Sequence, residues 1–453
     1  MESRGRYHQL RILLLCASFL AAVGCVKFNP NPSSSAEFYQ RLQTQTQGGV
    51  EVSAAVLGKK ESKEYFGINL EKKHVQALYL KIRNNEKRSY WFMPISIDPN
   101  YYSPNEVAYR HRTGRSGEQQ MKMNEFFESQ AIGYNIGPGE TKEGFVYTNV
   151  DFGSKEFGVD LLSRGELKRF PFIVKVPGLS ADYQEVDFDA LYKPEEFRDV
   201  SLEELRQGLM DLPCCTAKKG SDDHDGDAVN LVVVGDLDDL LTAFVRQGWR
   251  ETAIEDKHSS LKAVKSLLFH SPYVNAPMSE LYLFDRHQDI SFQKPRRSIH
   301  QRNHLRLWMT KMRYQGKHVW IGTVSRDIGI RFTTRAFLFI THKIDSDIDE
   351  ARDFLLQDMI VADSVSHIGF VKGVGEFPLT APHKNLMGDS WYTDGLRAVI
   401  VISDESTPLL KTRPLPWERP EGHGIIHLDA LAKESDFSES PRSSKSKAPA
   451  PQQ

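Results

Sequence analysis

The sequence predicts an α+β protein overall, with an N-terminal all-β immunoglobulin-like sandwich followed by an α+β domain. Three observations carry this. Between residues 46 and 192, short apolar stretches alternate with polar turn signals. From residue 229 onward, nearly continuous apolar strands mix with amphipathic helical stretches. The acidic run 221–227 separates the two styles.

In the first half, 75–82 is apolar and partly alternating, Asn84-Asn85 marks a turn, and 90–93 returns as a partner strand. Asn135-Ile136-Gly137-Pro138-Gly139-Glu140 is a turn before a strand over 144–148, and Phe172, Val174 and Val176 alternate through a strand over 170–176. Short strands at this spacing suit a two-sheet sandwich. Asp98-Pro99-Asn100-Tyr101-Tyr102-Ser103-Pro104 reads as a rigid structural loop, with a recognition loop as the alternative.

Residues 193–228 read as a short helix and an acidic linker. Ser201 and Glu204 have capping-box spacing for a helix over 202–210, and 218–227 has the look of a solvated connection. The domain over 229–432 opens with a strand at 229–234 and a helix at 237–247 closed by Gly248. A second helix is predicted at 259–269, strands at 282–284, 304–309, 319–324 and 336–341, a helix at 347–359 and a last strand at 396–402. The tail 433–453 is rich in Ser, Pro and Lys and reads as disordered.

At the other end, Arg4, Arg6 and Arg11 precede an apolar run over 12–23, which is shorter than the roughly 20 residues a spanning helix needs. The run ends in Leu20-Ala21-Ala22-Val23-Gly24-Cys25, which resembles the lipobox of bacterial lipoproteins with Ala22 in place of the commoner leucine. The reading is a signal peptide over 1–24, a lipid-bearing Cys25 and a polar tether over 25–45, with an ordinary secretory signal as the alternative. The expected location is the bacterial cell envelope, periplasm-facing. Val26, not an aspartate, follows the cysteine, which favours the outer membrane over the inner. The net charge of −2 argues against a nucleic-acid partner. Of four cysteines, only Cys214 and Cys215 remain beyond Cys25. Neighbours cannot staple a fold, and no further cysteine completes a metal or redox site, so the pair reads as structurally minor.

The densest polar constellation lies between Arg286 and Asp353. A strand over 304–309 puts Arg302, His304, Arg306 and Trp308 on one face and Leu305, Leu307 and Met309 on the other, with like-facing residues about 7 Å apart. Residues 283–318 hold nine Lys or Arg against two Asp, with four His. Such a face suits an anion, Arg302 and Arg306 binding it with Trp308 and Trp320 lining the site. Pairing of the following strands brings His342 and Asp345 toward His304 and Asp327, a grouping fit for acid–base work and one that leaves a divalent metal open as a cofactor. The competing reading makes Asp345, Asp347 and Asp349 helix-start residues and His342 an interior histidine. No cofactor is required by any motif: 371–375 lacks the Gly-Lys-Ser of a phosphate-binding loop.

Val229-Asn230-Leu231-Val232-Val233-Val234-Gly235, Arg302-Asn303-His304-Leu305-Arg306-Leu307-Trp308, Val319-Trp320-Ile321-Gly322 with Asp327, and Thr341-His342-Lys343-Ile344-Asp345 with Asp349 and Arg352 occur in that order. Together they are similar to the LssY C-terminal-like domain of bacterial envelope proteins, over about 228–402. Asn303 stands where the resemblance leads one to expect a second histidine, and Ala351 where it leads one to expect glutamate. The resemblance implies an envelope and lipid context and carries no assigned activity. Two functions follow as expectations. One is a hydrolase of an anionic or phosphorylated envelope substrate; the other is a non-catalytic lipoprotein docking on anionic lipid, glycan or a protein.

Overall fold

The computed structural model describes residues 28–33, 37–112, 116–221, 223–253, 275, 278–298, 301–332, 340–403, 407–408 and 411–420. The expected signal peptide, Cys25, the helix expected at 259–269 and the tail from 433 lie outside them. The chain divides into two compact units between Leu179 and Ser180.

The first unit is built on two antiparallel sheets. One has the order β1-β2-β3-β6, from β1 (Gln43–Gln47), β2 (Val50–Val56), β3 (Val75–Asn84) and β6 (Thr141–Asn149). The other has the order β5-β4-β7-β8, from β4 (Tyr90–Met93), β5 (Asn135–Ile136), β7 (Gly153–Ser163) and β8 (Glu166–Val176). With edge strand β1 set aside, this is the A-B-E and C′-C-F-G order of an immunoglobulin-like sandwich. Val52, Leu80 and Ile82 meet Phe92, Val159 and Phe172 between the sheets. The outer face of the first sheet is covered by α1 (Lys59–Phe66), α2 (Pro104–Arg110) and α3 (Gly117–Gln130), with Phe66, Val107 and Phe127 packing on Ala77, Tyr79 and Phe145. Burial on both faces explains why 75–82 reads as a run and not as a clean alternation.

The segment expected to be a tether is in part folded. Phe28 and Phe38 are buried in the helix-covered core, 37–41 form a 3-10 turn, and 43–47 pair with β2. Two isolated aromatics among polar residues make no period, so their burial leaves no pattern to read. The 98–104 loop is structural: Asp98 accepts hydrogen bonds from the Asn100 and Asn149 backbones, and Tyr102 bridges to Tyr147.

The second unit is a mixed sheet with helices on both faces. Its strands are β9 (Arg198–Val200), β10 (Leu231–Val234), β11 (Arg250–Glu251), β14 (Ile290–Ser298), β15 (Gln301–Tyr314), β16 (Lys317–Phe332), β17 (Ile340–Ile344), β18 (Val365–Lys372), β21 (Leu396–Ile402) and β22 (Arg413–Pro414). The order is β11-β14-β15-β16-β10-β21-β18-β22, with β17 added to β16 and β9 to β15. Two short hairpins stand apart, β12 (Tyr282–Leu283) with β13 (Arg286–His287) and β19 (His383–Lys384) with β20 (Ser390–Trp391). Leu231 and Val233 face α5 (Leu237–Arg246) and α6 (Ile348–Val361), while Val232 and Val234 face α4 (Leu202–Met210). A central strand covered on both sides is apolar at every position, as 231–234 is. The capping box before α4 is formed: Ser201 Oγ accepts from the Glu204 amide and Glu204 Oε2 from the Ser201 amide. The acidic run is not a free linker. The Thr216 amide donates to the Asp227 carbonyl, the Gly226 amide to the Thr216 carbonyl, and the Val229 amide to the Cys214 carbonyl.

Candidate functional site

The long hairpin β15–β16 builds the site. Its register pairs Leu305 with Val324 and Leu307 with Gly322, and strict alternation sends Leu305, Leu307 and Met309 into the core under α5 and α6. Arg302, His304 and Arg306 therefore project from the opposite face, with Ser291 and Gln293 of β14 and Thr323 of β16 beside them. Near its end β16 carries a register shift between Asp327 and Gly329 where β17 joins. The shift brings His342 of β17 to Asp327, whose own neighbours across β15 are Arg302 and His304.

The result is one buried carboxylate ringed by basic groups. Asp327 Oδ2 lies 3.0 Å from His304 Nε2, 3.3 Å from His342 Nδ1 and 3.6 Å from Arg302 Nε. The two imidazole rings meet edge to face at 6.2 Å. Asp327, Arg302 and His304 are almost completely buried, while the His342 side chain keeps 30% exposure. His304 Nε2, Asp327 Oδ2 and Arg302 Nε have close contacts here but no well-directed hydrogen bond. Burial is the largest effect on the Asp327 carboxyl and raises it, but His304, His342 and Arg302 together outweigh it and hold the group below the usual carboxylate range. Burial pushes His304 down to about 4, with Arg302 and Arg306 adding and Asp327 opposing, so this imidazole is neutral at pH 7. Burial also lowers Arg302 and Arg306.

The structure brings some of the residues singled out from the sequence together and separates others. Asp327, His304, His342 and Arg302 come together. Asp345 does not join them: its Oδ1 accepts from the Asp347 amide, and Asp347 caps α6 by accepting from the amides of Asp349 and Glu350. Asp345 and Asp347, ahead of the helix, satisfy free N–H groups before they serve any ligand. Trp308 and Trp320 line no open site. Both are fully buried, Trp308 with Val229 and Leu283, and Trp320 in the helix-covered core donating to the Gly235 carbonyl. Arg302 and Arg306 are not surface clamps. Arg306 donates through Nε and Nη2 to the Ser279 carbonyl, and Arg302 Nη1 donates to Gln293 Oε1. Asn303 and Ala351 project to the helix side, where Asn303 Oδ1 accepts from Arg326 Nε and Ala351 is core. Both departures thus lie away from Asp327.

A divalent metal does not fit. Among the described residues, no group of three or more His, Cys, Asp or Glu is arranged to hold one. At Asp327 the Arg302 guanidinium already faces the carboxylate oxygen that would be a ligand.

Sequence reasoning missed the supporting polar layer. Asp227, read as linker, accepts from Asn385 Nδ2 and faces Arg306; burial raises its carboxyl. Asp182 accepts from the hydroxyls of Ser291 and Thr252, and burial pushes it up to about 6. Lys343, next to His342, pairs with Asp389 at 3.1 Å. Acids from three separate segments carry no local signal that would join them.

Residues 209–396 match the family model of the LssY C-terminus. Every residue of the Asp327 grouping falls inside that match, so this part of the second unit is similar to the LssY C-terminus. The match covers less than half of the chain, and the sandwich lies outside it. No curated protein matches the chain.

Proposed function

We propose that the second unit acts on a phosphate-bearing or otherwise anionic envelope compound as a hydrolase, with His342 transferring the proton. The supporting observation is the convergence of His304, His342 and Arg302 on Asp327 Oδ2. Asp327 orients the His342 ring through Nδ1, the role a buried carboxylate plays beside a general base, and Nε2 then handles the proton of an attacking water. Neutral His304 braces Asp327 from below. Arg302 and Arg306 favour negative charge near His342 without touching the substrate. In this reading Cys25 carries the lipid anchor, and the substrate or partner belongs to the membrane surface.

Turnover of p-nitrophenyl phosphate and bis(p-nitrophenyl) phosphate, with wild type against His342→Gln and Asp327→Asn, tests the reading. Turnover in wild type that falls at least a hundredfold in both variants is expected; equal rates in all three would refute the roles assigned. A second reading, holding an anion without cleaving it, draws on the inward hydrogen bonds of Arg302 and Arg306. It predicts binding of inorganic pyrophosphate by calorimetry with no turnover of either ester.

A further inference from the structure

The two adjacent cysteines occupy a different place in the second unit, and their surroundings are not those of inert core thiols. Cys215 is fully buried and Cys214 half-buried, with their sulfurs 2.6 Å apart. The loop carrying them is held on both sides: the Val229 amide donates to the Cys214 carbonyl, and His224 Nδ1 sits 2.9 Å from the Cys215 carbonyl. Beneath it lies Arg397 of β21, with no exposed surface. Its Nη atoms donate to the carbonyls of Leu209, Leu212, Pro213 and Gly373. Its Nε has no hydrogen-bond partner, and no carboxylate pairs with it among the described residues. A buried guanidinium bonded only to neutral carbonyls favours an anion nearby, and the groups beside it able to become one are the two thiols. By contrast, Arg352 in the same unit is met by three aspartates.

We infer that Cys214 and Cys215 form a redox-active vicinal dithiol that reacts with small disulfides, Cys214 as the attacking sulfur and Cys215 as the resolving one. The Cys214 thiolate attacks one sulfur of R–S–S–R, forming a mixed disulfide and releasing one thiolate, which takes up a proton. Cys215 then loses its proton to solvent and attacks Cys214 Sγ, closing the vicinal disulfide and expelling the second RS⁻. Two protein electrons reduce one small disulfide to two thiols. The close contact with Cys215, with Arg397 adding, lowers the Cys214 thiol against burial and Asp225, while Cys215 is pushed up. A cavity of about 110 Å³ flanks the loop, lined by Pro213, Ala217, Lys218, His224, Tyr282 and Asp285, and gives a small disulfide room beside the pair. A ring closed between neighbours is strained, which places the pair among reversible disulfides and not structural ones.

The test uses the full chain with Cys16→Ser and Cys25→Ser and the aromatic disulfide 5,5′-dithiobis(2-nitrobenzoate), added at one equivalent to native protein. The expected result is release of two equivalents of thionitrobenzoate and a protein mass lower by two hydrogens. Cys215→Ser should release one equivalent and retain the adduct; Cys214→Ser should react at least tenfold more slowly. Alkylation of the unsubstituted pair by iodoacetamide needs no further variant, and its rate should rise with a midpoint near pH 7. One equivalent with a lasting adduct on the intact pair, no reaction without denaturant, or an alkylation midpoint at pH 9 would overturn the assignment.

Discussion

The second unit holds two buried charge clusters, and they differ in how completely their charges are answered. At Arg352, one guanidinium with no exposed surface meets Asp349 at 3.1 Å, Asp353 at 3.0 Å and Asp394 at 2.7 Å, and also donates to the Leu396 carbonyl. Its charged form is stabilised despite burial. At Asp327, one carboxylate faces two imidazoles and a guanidinium, and Arg302 Nε, His304 Nε2 and Asp327 Oδ2 are left without directed hydrogen bonds. The first cluster is closed and joins α6 to the start of β21. The second is held together by charge but remains poorly satisfied, and one of its members reaches the surface. Completed networks fix a fold; incomplete ones in a folded protein mark the places where a ligand is to be sought.

Breaking the closed cluster should have the largest effect on stability. Arg352→Met leaves three acids around an apolar side chain and should cost about 3–5 kcal/mol in urea unfolding, with any turnover falling only as the folded fraction falls. Asp327→Asn should cost somewhat less, about 3 kcal/mol, yet abolish function in protein that remains folded, because the buried Arg302 guanidinium loses its counter-charge and His342 its orienting carboxylate.

The pH dependence sharpens the contrast further. His304 titrates near 4 in place and near 6.5 in an unfolded chain, so unfolding takes up a proton between those values. The stability it contributes is present above pH 6.5 and lost as the pH falls toward 4. The difference in unfolding free energy between wild type and His304→Gln should therefore be about 2 kcal/mol smaller at pH 5 than at pH 7. Taking the difference removes Asp182 and Asp353, whose carboxyls are raised to about 6 and act with the opposite sign in this window. The smallest expected effect on stability is that of His342→Gln. Its side chain is 30% exposed, so unfolding should change by no more than about 0.5 kcal/mol while turnover disappears.

Most of what the sequence makes legible here comes from periodicity. The strand 396–402, the helix begun by Asp347 and the two-faced strand 302–309 follow from spacing alone and are found as expected. The alternation that put Arg302, His304 and Arg306 on one face also holds. What spacing cannot give is depth. Trp308 and Trp320 read as ligand-facing because aromatics beside arginines suit both a pocket and a core, and only the covering segments decide which. The folded state of Phe28 and Phe38, the hydrogen bond of Asp227 to Asn385 and the counter-charges of Arg352 depend on contacts between segments far apart in the chain. The register shift that delivers His342 to Asp327 is a local irregularity with no residue signature of its own.

The central claim is that the Asp327 grouping is the functional centre of the second unit. The most direct test is the ¹⁵N-imidazole spectrum of His342, recorded with and without inorganic pyrophosphate in wild type and in Asp327→Asn. The account predicts that pyrophosphate shifts the His342 resonances in wild type, leaves His304 neutral at pH 7, and has no effect on His342 in the variant. Unmoved His342 resonances in wild type at saturating pyrophosphate, or equal shifts in both proteins, would contradict it.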